Sequence, residues 1–186
     1  MQTGAVTLKT QDIGDVLEDF TLPVASGGEQ SLSAALQGKR AAVVLFWSGI
    51  CSHCVRYDEW ANQFATKYPD VALLVVAARQ GETIEMVRNT ARDRGLTFPI
   101  LHDGGGKLAK AWYTQQTPRA FLLDADRKLI YRGAIDNFKF QVDPTYEAYL
   151  EPAIQATLEG KPAPRTETAS FGCAIQSLYY LLPKSL

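Results

Sequence analysis

Long apolar runs are missing from this chain. Residues 41–47 (AAVVLFW) and 71–77 (VALLVVA) are its most apolar stretches, and both fall far short of the roughly 18 residues of a membrane-crossing helix. An excess of either charge is missing too. Lys plus Arg number 19 against 20 Asp plus Glu, a formal net charge of -1, which gives no electrostatic footprint for nucleic acid or an anionic membrane. Three cysteines in 186 residues are too few for the disulfide framework of a small secreted protein, and the chain is long enough to bury a core without one. With only two histidines, few metal sites can be assembled. Residues 1–10 lack the basic and apolar regions of a leader peptide. There is no internal repeat and no low-complexity run. What these absences leave is a globular α/β-type domain of ordinary composition.

The elements can be placed from patterning. Residues 1–15 are polar and turn-rich, an arm. Residues 20–23 suit a short edge strand ended by Pro23, and residues 31–36 a short helix ending near Gly38. Ala41–Trp47 and Val71–Ala77 are apolar on both faces, as central parallel strands require. Between them Cys54, Tyr57, Trp60, Ala61 and Phe64 mark one face of a single helix, and this strand–helix–strand unit crosses over right-handed. Thr83 caps a helix closed by Gly95. Residues 98–101 form a strand and residues 107–113 a short helix. Residues 120–124 and 129–133 alternate around a polar turn, an antiparallel hairpin. Asp143-Pro144 opens a helix running to Leu158, with Pro152 as a kink point and Gly160 as its end. The expectation is an α/β fold with a central mixed sheet and helices on both faces. One domain covers residues 1–160, and residues 161–186 are a linker and C-terminal tail.

Two of the three cysteines stand two residues apart, in Phe46-Trp47-Ser48-Gly49-Ile50-Cys51-Ser52-His53-Cys54, where a central strand hands over to a helix. Free N–H groups at a helix start favour a thiolate over a thiol, so Cys51 is expected to have a lowered pKa. One turn later Cys54 faces it, placed to attack a mixed disulfide on Cys51. His53 adds a titratable group that, protonated, stabilises the thiolate. The geometry expected is Cys51 at the first turn and more exposed than Cys54; a pair with both sulfurs closed into the core counts against redox chemistry. A zinc site competes for the same residues, but it needs four ligands, and only His53, His102 and Cys173 remain to supply them. A Cys-x-x-Cys after an apolar strand in a βαβ pattern favours redox use.

The stretch from about Gly14 to Gly133 resembles the thioredoxin superfamily, in its redoxin branch of alkyl hydroperoxide reductase/thiol-specific antioxidant and TlpA-type thiol–disulfide oxidoreductases. The likeness rests on the cysteine loop, Asp19-Phe20-Thr21-Leu22, Thr117-Pro118-Arg119-Ala120-Phe121-Leu122-Leu123-Asp124 and Tyr131-Arg132-Gly133-Ala134-Ile135-Asp136. Phe171-Gly172-Cys173-Ala174-Ile175 resembles a tail of some redoxins. The resemblance implies a thioredoxin-like fold, with a redox-active disulfide between Cys51 and Cys54 and Pro118 as a cis proline facing the pair. From the residues alone Pro118 is an ordinary trans proline opening an edge strand, and only the resemblance makes it cis. Thr117 before it can offer its backbone to an incoming peptide as to an added strand. Trp47 is expected to pack beside the loop and to help bind substrate. If a leader has been trimmed, the resemblance also implies an extracytoplasmic, periplasmic setting.

The chain departs from the family pattern at three places. Leu45 stands where thioredoxins have a buried Asp, and Tyr57 where TlpA-type proteins often have a Glu. No general base for Cys54 can therefore be named, and Asp58 and Glu59 suit a solvated helix face. Against the peroxidase branch, Ser48 fits, but Val44 replaces the upstream Pro, and Arg119 follows the proline of dithiol exchangers. The reading is thiol–disulfide exchange with protein or small-molecule disulfide and thiol substrates, using no cofactor and no resident metal. A thiol peroxidase is the second reading, and a copper- or zinc-binding module using Cys51, Cys54 and a His the third. Cys173 is expected to pack as a small hydrophobe, with a third redox or metal-binding sulfur as its functional alternative. His102 suits a surface or capped position, and Gly104-Gly105-Gly106 a flexible helix entry rather than a phosphate loop.

Overall fold

The computed structural model describes residues 11–176. In chain order its elements are β1 (Thr21–Pro23), β2 (Glu29–Ser31), α1 (Leu32–Leu36), β3 (Ala41–Trp47), α2 (Ser52–Val55), α3 (Asp58–Lys67), β4 (Val71–Ala77), α4 (Ile84–Asp93), β5 (Ile100–His102), α5 (Lys107–Ala111), β6 (Gln116–Thr117), β7 (Arg119–Asp124), β8 (Leu129–Gly133), α6 (Leu150–Leu158) and β9 (Cys173–Ala174). The central sheet has the order β5-β4-β3-β7-β8. Strand β3 runs parallel to β4 and antiparallel to β7, so the sheet is mixed. Its seven residues are all buried, as the two-faced apolar run requires.

Side chains alternate across β3 into two cores. Val43, Leu45 and Trp47 share one face with Cys51, Cys54, Phe64, Val87 and Ile154, under α2, α3, α4 and α6. Ala42, Val44 and Phe46 share the other with Leu32, Leu108, Trp112 and Phe121, under α1 and α5. This is a thioredoxin-like architecture with helices on both faces.

Two expected helices form differently. The single helix after β3 is broken into α2 and α3. The Tyr57 N–H bonds the Cys54 carbonyl three residues back, at 2.9 Å, a tightened turn. Arg56 donates to the Phe138 carbonyl at 2.6 Å, and the Tyr57 hydroxyl to Asp136 at 2.7 Å, which ties the break to the loop after β8. The apolar stripe survives because both pieces face the same core. The helix expected from Asp143 begins only at Leu150. Asp143 Oδ1 accepts from the Thr145 N–H and hydroxyl at 2.7 and 2.6 Å, a local turn that competes with helix. Pro152 then falls in the first turn of α6, where a missing N–H costs no helical bond and causes no kink.

The segment after Gly160, expected as linker and tail, lies against the domain as far as it is described. The Arg132 N–H bonds the Thr166 carbonyl at 3.0 Å, and the Thr168 N–H bonds Arg132 at 3.2 Å. Beyond it β9 pairs antiparallel with β6, and Ile175 is buried. Residues 1–10 of the arm and 177–186 of the tail lie outside the described residues.

Candidate active site around three thiols

Strand β3 delivers the chain to a tight loop. The Cys51 N–H bonds the Ser48 carbonyl at 3.2 Å, and Cys51 is the N-cap of α2. Glu82 and Arg94 hold this loop from behind. Glu82 Oε1 accepts the Gly49 N–H at 2.7 Å, and Arg94 donates to the Gly49 carbonyl at 2.9 Å. Arg94 also pairs with Asp58 through two nitrogens and lies 5.3 Å above the Trp47 ring. A Cβ at Gly49 would stand 2.8 Å from Glu82 Oε1, so this close support needs glycine. Asp58, expected on a solvated face, is thus engaged by Arg94, whereas Glu59 is exposed and accepts from Gln63.

All three cysteines are free thiols. Cys51 and Cys54 are each 0 % exposed and both belong to the core. This is the burial that counts against redox chemistry unless the cover over Cys51 moves, and it corrects the expectation that Cys51 is the more exposed. The reason is β9. Its pairing places Cys173 opposite Thr117, and together these two residues cover Cys51. As a thiol Cys51 donates to the Thr117 carbonyl at 3.3 Å. As a thiolate it is stabilised most by the Cys54 thiol, then by the Cys173 thiol, the Thr117 hydroxyl and the Cys173 backbone; these outweigh burial and bring its pKa down to about 4. Burial first, and then the neighbouring Cys51, push Cys54 far above the usual thiol value. The pair is therefore asymmetric, a sulfur that favours the thiolate beside one that stays protonated.

The Thr117–Pro118 peptide bond is cis, and Thr117 is 0 % exposed beneath β9. Trp47 is 1 % exposed; it packs with the cysteines instead of presenting a substrate-binding surface. His53 is exposed, its ring edge-on to Phe138 at 5.6 Å. His102, expected at a surface or capped position, is half-buried with Nε2 2.8 Å from the Glu82 carbonyl. Gly106 forms the left-handed N-cap of α5. Arg119 lies 5.7 Å from the Phe121 ring, and Phe121 belongs to the core on the sheet face opposite the cysteines. Its charged neighbours are Arg132 and Glu167. Among the described residues no group of three or more His, Cys, Asp or Glu is placed to hold a metal ion.

Sequence reasoning missed Glu82 and Asp136. Burial holds the Glu82 carboxyl above its ordinary value, and Oε2 has no partner. Its only sequence signal is a position after β4, one residue before a helix cap. Asp136 is buried, taking the Tyr57 hydroxyl, the Phe138 N–H at 2.8 Å and the Arg56 guanidinium at 3.7 Å. It lies in the quoted segment after β8, where an acid following apolar Ala134 and Ile135 was a usable hint.

Residues 13–132 match the family model of the AhpC/TSA family. The chain is similar to the thiol-disulfide oxidoreductase ResA of Bacillus thuringiensis (strain Al Hakam), 30% identical over 139 residues that cover 75% of this chain and 77% of that protein. With ResA of Bacillus thuringiensis subsp. konkukian the identity is 31% over 98 residues, and the chain spans only 57% of that relative. Among solved structures, a hypothetical protein from Sinorhizobium meliloti superposes with a TM-score of 0.78 at 31% identity, over 88% of this chain and 93% of that one. A thiol:disulfide interchange protein DsbE from Chlorobium tepidum gives a TM-score of 0.63 at 22% identity, over 80% and 99%, a likeness of fold.

Proposed function

Because the chain belongs to the AhpC/TSA family, we propose that it is a thiol–disulfide oxidoreductase in which Cys51 attacks a disulfide and the Cys51–Cys54 pair carries the two electrons. The observation that carries this reading is the asymmetry of the pair. Cys51 is held as a thiolate at neutral pH, while burial keeps Cys54 protonated until a mixed disulfide removes the charge beside it. Thiolate attack on one substrate sulfur forms the Cys51 mixed disulfide and releases the other half as a thiolate. A second protein thiol then attacks Cys51 and releases the remaining half. Run in reverse, the same pair donates a disulfide.

Pro118 and Thr117 border the position a substrate peptide takes, with the Thr117 backbone as its pairing edge. Since β9 occupies that edge and closes over Cys51, a peptide substrate gains access when β9 moves. His53, on the exposed side of α2, tunes the pair from outside. That the ResA relatives are thiol-disulfide oxidoreductases agrees with exchange, and Arg119, which lies by Phe121 on the opposite sheet face, is not placed to assist a peroxide at Cys51.

Reduction of a protein disulfide such as insulin, followed in wild type and Cys51→Ser, tests the reading. Activity in wild type and none in the variant is expected. Rapid peroxide consumption with no disulfide reduction turns the assignment to a thiol peroxidase. One copper or zinc bound per chain and lost in Cys51→Ser turns it to a metal-binding module.

A further inference from the structure

We infer that Cys173 is a third redox-active cysteine, carried on an intramolecular strand that occupies the substrate's place and forms a disulfide with Cys51 during turnover. The inference rests on the exchange chemistry proposed above and assigns the step that follows the first attack.

The geometry of β9 is that of a bound peptide. It adds antiparallel to β6, with Cys173 opposite Thr117 and Ala174 opposite Gln116. Gly172 permits the approach: a Cβ there would lie 1.9 Å from the Thr117 carbonyl oxygen. On the far side Ile175 anchors the strand. It is 3 % exposed in the second core, its N–H bonds the Gln115 carbonyl at 2.9 Å, and its carbonyl accepts the Gln80 N–H at 2.9 Å. Between the glycine and the anchor, both the thiol and the backbone of Cys173 reach Cys51, as do Cys54 and Thr117. Arg79 contacts the Cys173 thiol and favours its ionised form, against burial and the nearby Cys51 charge. A cysteine serving only as packing has no need of a cation and a nucleophile as its neighbours.

A competing strand that carries its own thiol couples two events. A substrate peptide paired to Thr117 and joined to Cys51 has displaced β9. When β9 returns, it takes back the strand edge and brings the Cys173 sulfur to Cys51. Cys173 then attacks Cys51 Sγ. The Cys51–Cys173 bond forms, the bond from Cys51 to the substrate sulfur breaks, and the substrate leaves as a thiolate that takes up the proton lost by Cys173. Two electrons have then passed from two protein thiols to the substrate disulfide. Cys54 next attacks Cys51 Sγ, forming Cys51–Cys54 and passing its proton to the released Cys173 thiolate. Each step exchanges one S–S bond for another and needs no further oxidant.

The test is reaction of reduced Cys54→Ser and Cys54→Ser/Cys173→Ser proteins with glutathione disulfide, acid quenching, intact mass measurement and peptide mapping. Cys54→Ala is carried in parallel, so that a buried hydroxyl is not the cause of any effect. The single variants are expected to lose two hydrogens and yield a cross-linked peptide pair joining Cys51 to Cys173. The double variant is expected to retain one glutathione on Cys51. Equal, stable glutathione adducts on Cys51 in single and double variants overturn the third-cysteine inference and leave the exchange reading standing. No adduct or disulfide at Cys51 in any variant overturns both.

Discussion

Acidifying the reduced protein from pH 7 to pH 5 is expected to cost it stability through a single sulfur. Cys51 ionises at about 4 in the fold, against an ordinary value of 9.0. A group lowered by folding contributes its full stabilisation above the unfolded value and loses it as the pH falls toward the folded one. The window is therefore 9.0 down to about 4, and pH 7 to 5 lies inside it. Across those two units the folded sulfur stays charged while the unfolded one stays protonated, so the loss is at most about 2.7 kcal/mol at 1.36 kcal/mol per unit. The Thr117 carbonyl, 3.3 Å from the sulfur, favours the thiol, and residual solvent screening reduces the charge's interactions further. A loss of about 1–2.5 kcal/mol is the figure to look for. Urea unfolding of wild type and Cys51→Ser at both pH values, with a phosphine reductant, isolates it, because the other titrating groups are common to both proteins. Wild type is expected to lose more than the variant by that amount. Equal losses would refute the claim that the fold stabilises a Cys51 thiolate.

Three further outcomes follow from the site. Arg94→Ala removes the Asp58 pair, the Gly49 bond and the Trp47 stack together, and chemical denaturation should show a loss of about 2–3 kcal/mol, between the values for exposed and buried pairs; a change within error contradicts the role given to Arg94. Gly172→Ala drives a Cβ into the Thr117 carbonyl, so β9 detaches, and iodoacetamide should label Cys51 faster than in wild type while the circular dichroism is unchanged; unaltered labelling denies that β9 is the cover. Cys173→Ala removes a group that touches Cys51, whereas His53→Pro changes one that packs on Phe138. Both should make the Cys51–Cys54 pair more reducing in glutathione titrations, Cys173→Ala by the larger step, and the reverse order would make His53 the stronger tuner.

The elements that lie in the central sheet were legible because their apolar runs have no other use: β3, β4 and the β7–β8 hairpin sit where patterning puts them. The Thr83 cap was legible for the same local reason, its hydroxyl accepting the N–H three residues on, whereas Ser31, which patterning puts inside the helix, caps α1 instead. Helix extent was not. The α2–α3 break is set by Asp136, whose partner Tyr57 is visible only in three dimensions. The late start of α6 is set by a local Asp143–Thr145 turn, against the helix start that the Asp-Pro pattern suggests. The cysteine pair could be placed at a strand-to-helix junction from spacing alone. Its burial could not be foreseen, because one of the two residues that cover Cys51, Cys173, comes from a two-residue strand more than a hundred positions later. Nothing in the composition of residues 161–176 distinguishes a strap from a linker. The likeness of Phe171-Gly172-Cys173-Ala174-Ile175 to a tail of some redoxins was the sign that this stretch belongs with the site.

Redox titration of the wild-type protein in glutathione buffers, with acid quenching and mapping of the disulfide, tests the central claim most directly. The account predicts one reversible two-electron transition whose oxidised form links Cys51 to Cys54, with Cys173 returned to a thiol. A protein that stays fully reduced across the range, or oxidises without ever linking Cys51, would contradict it.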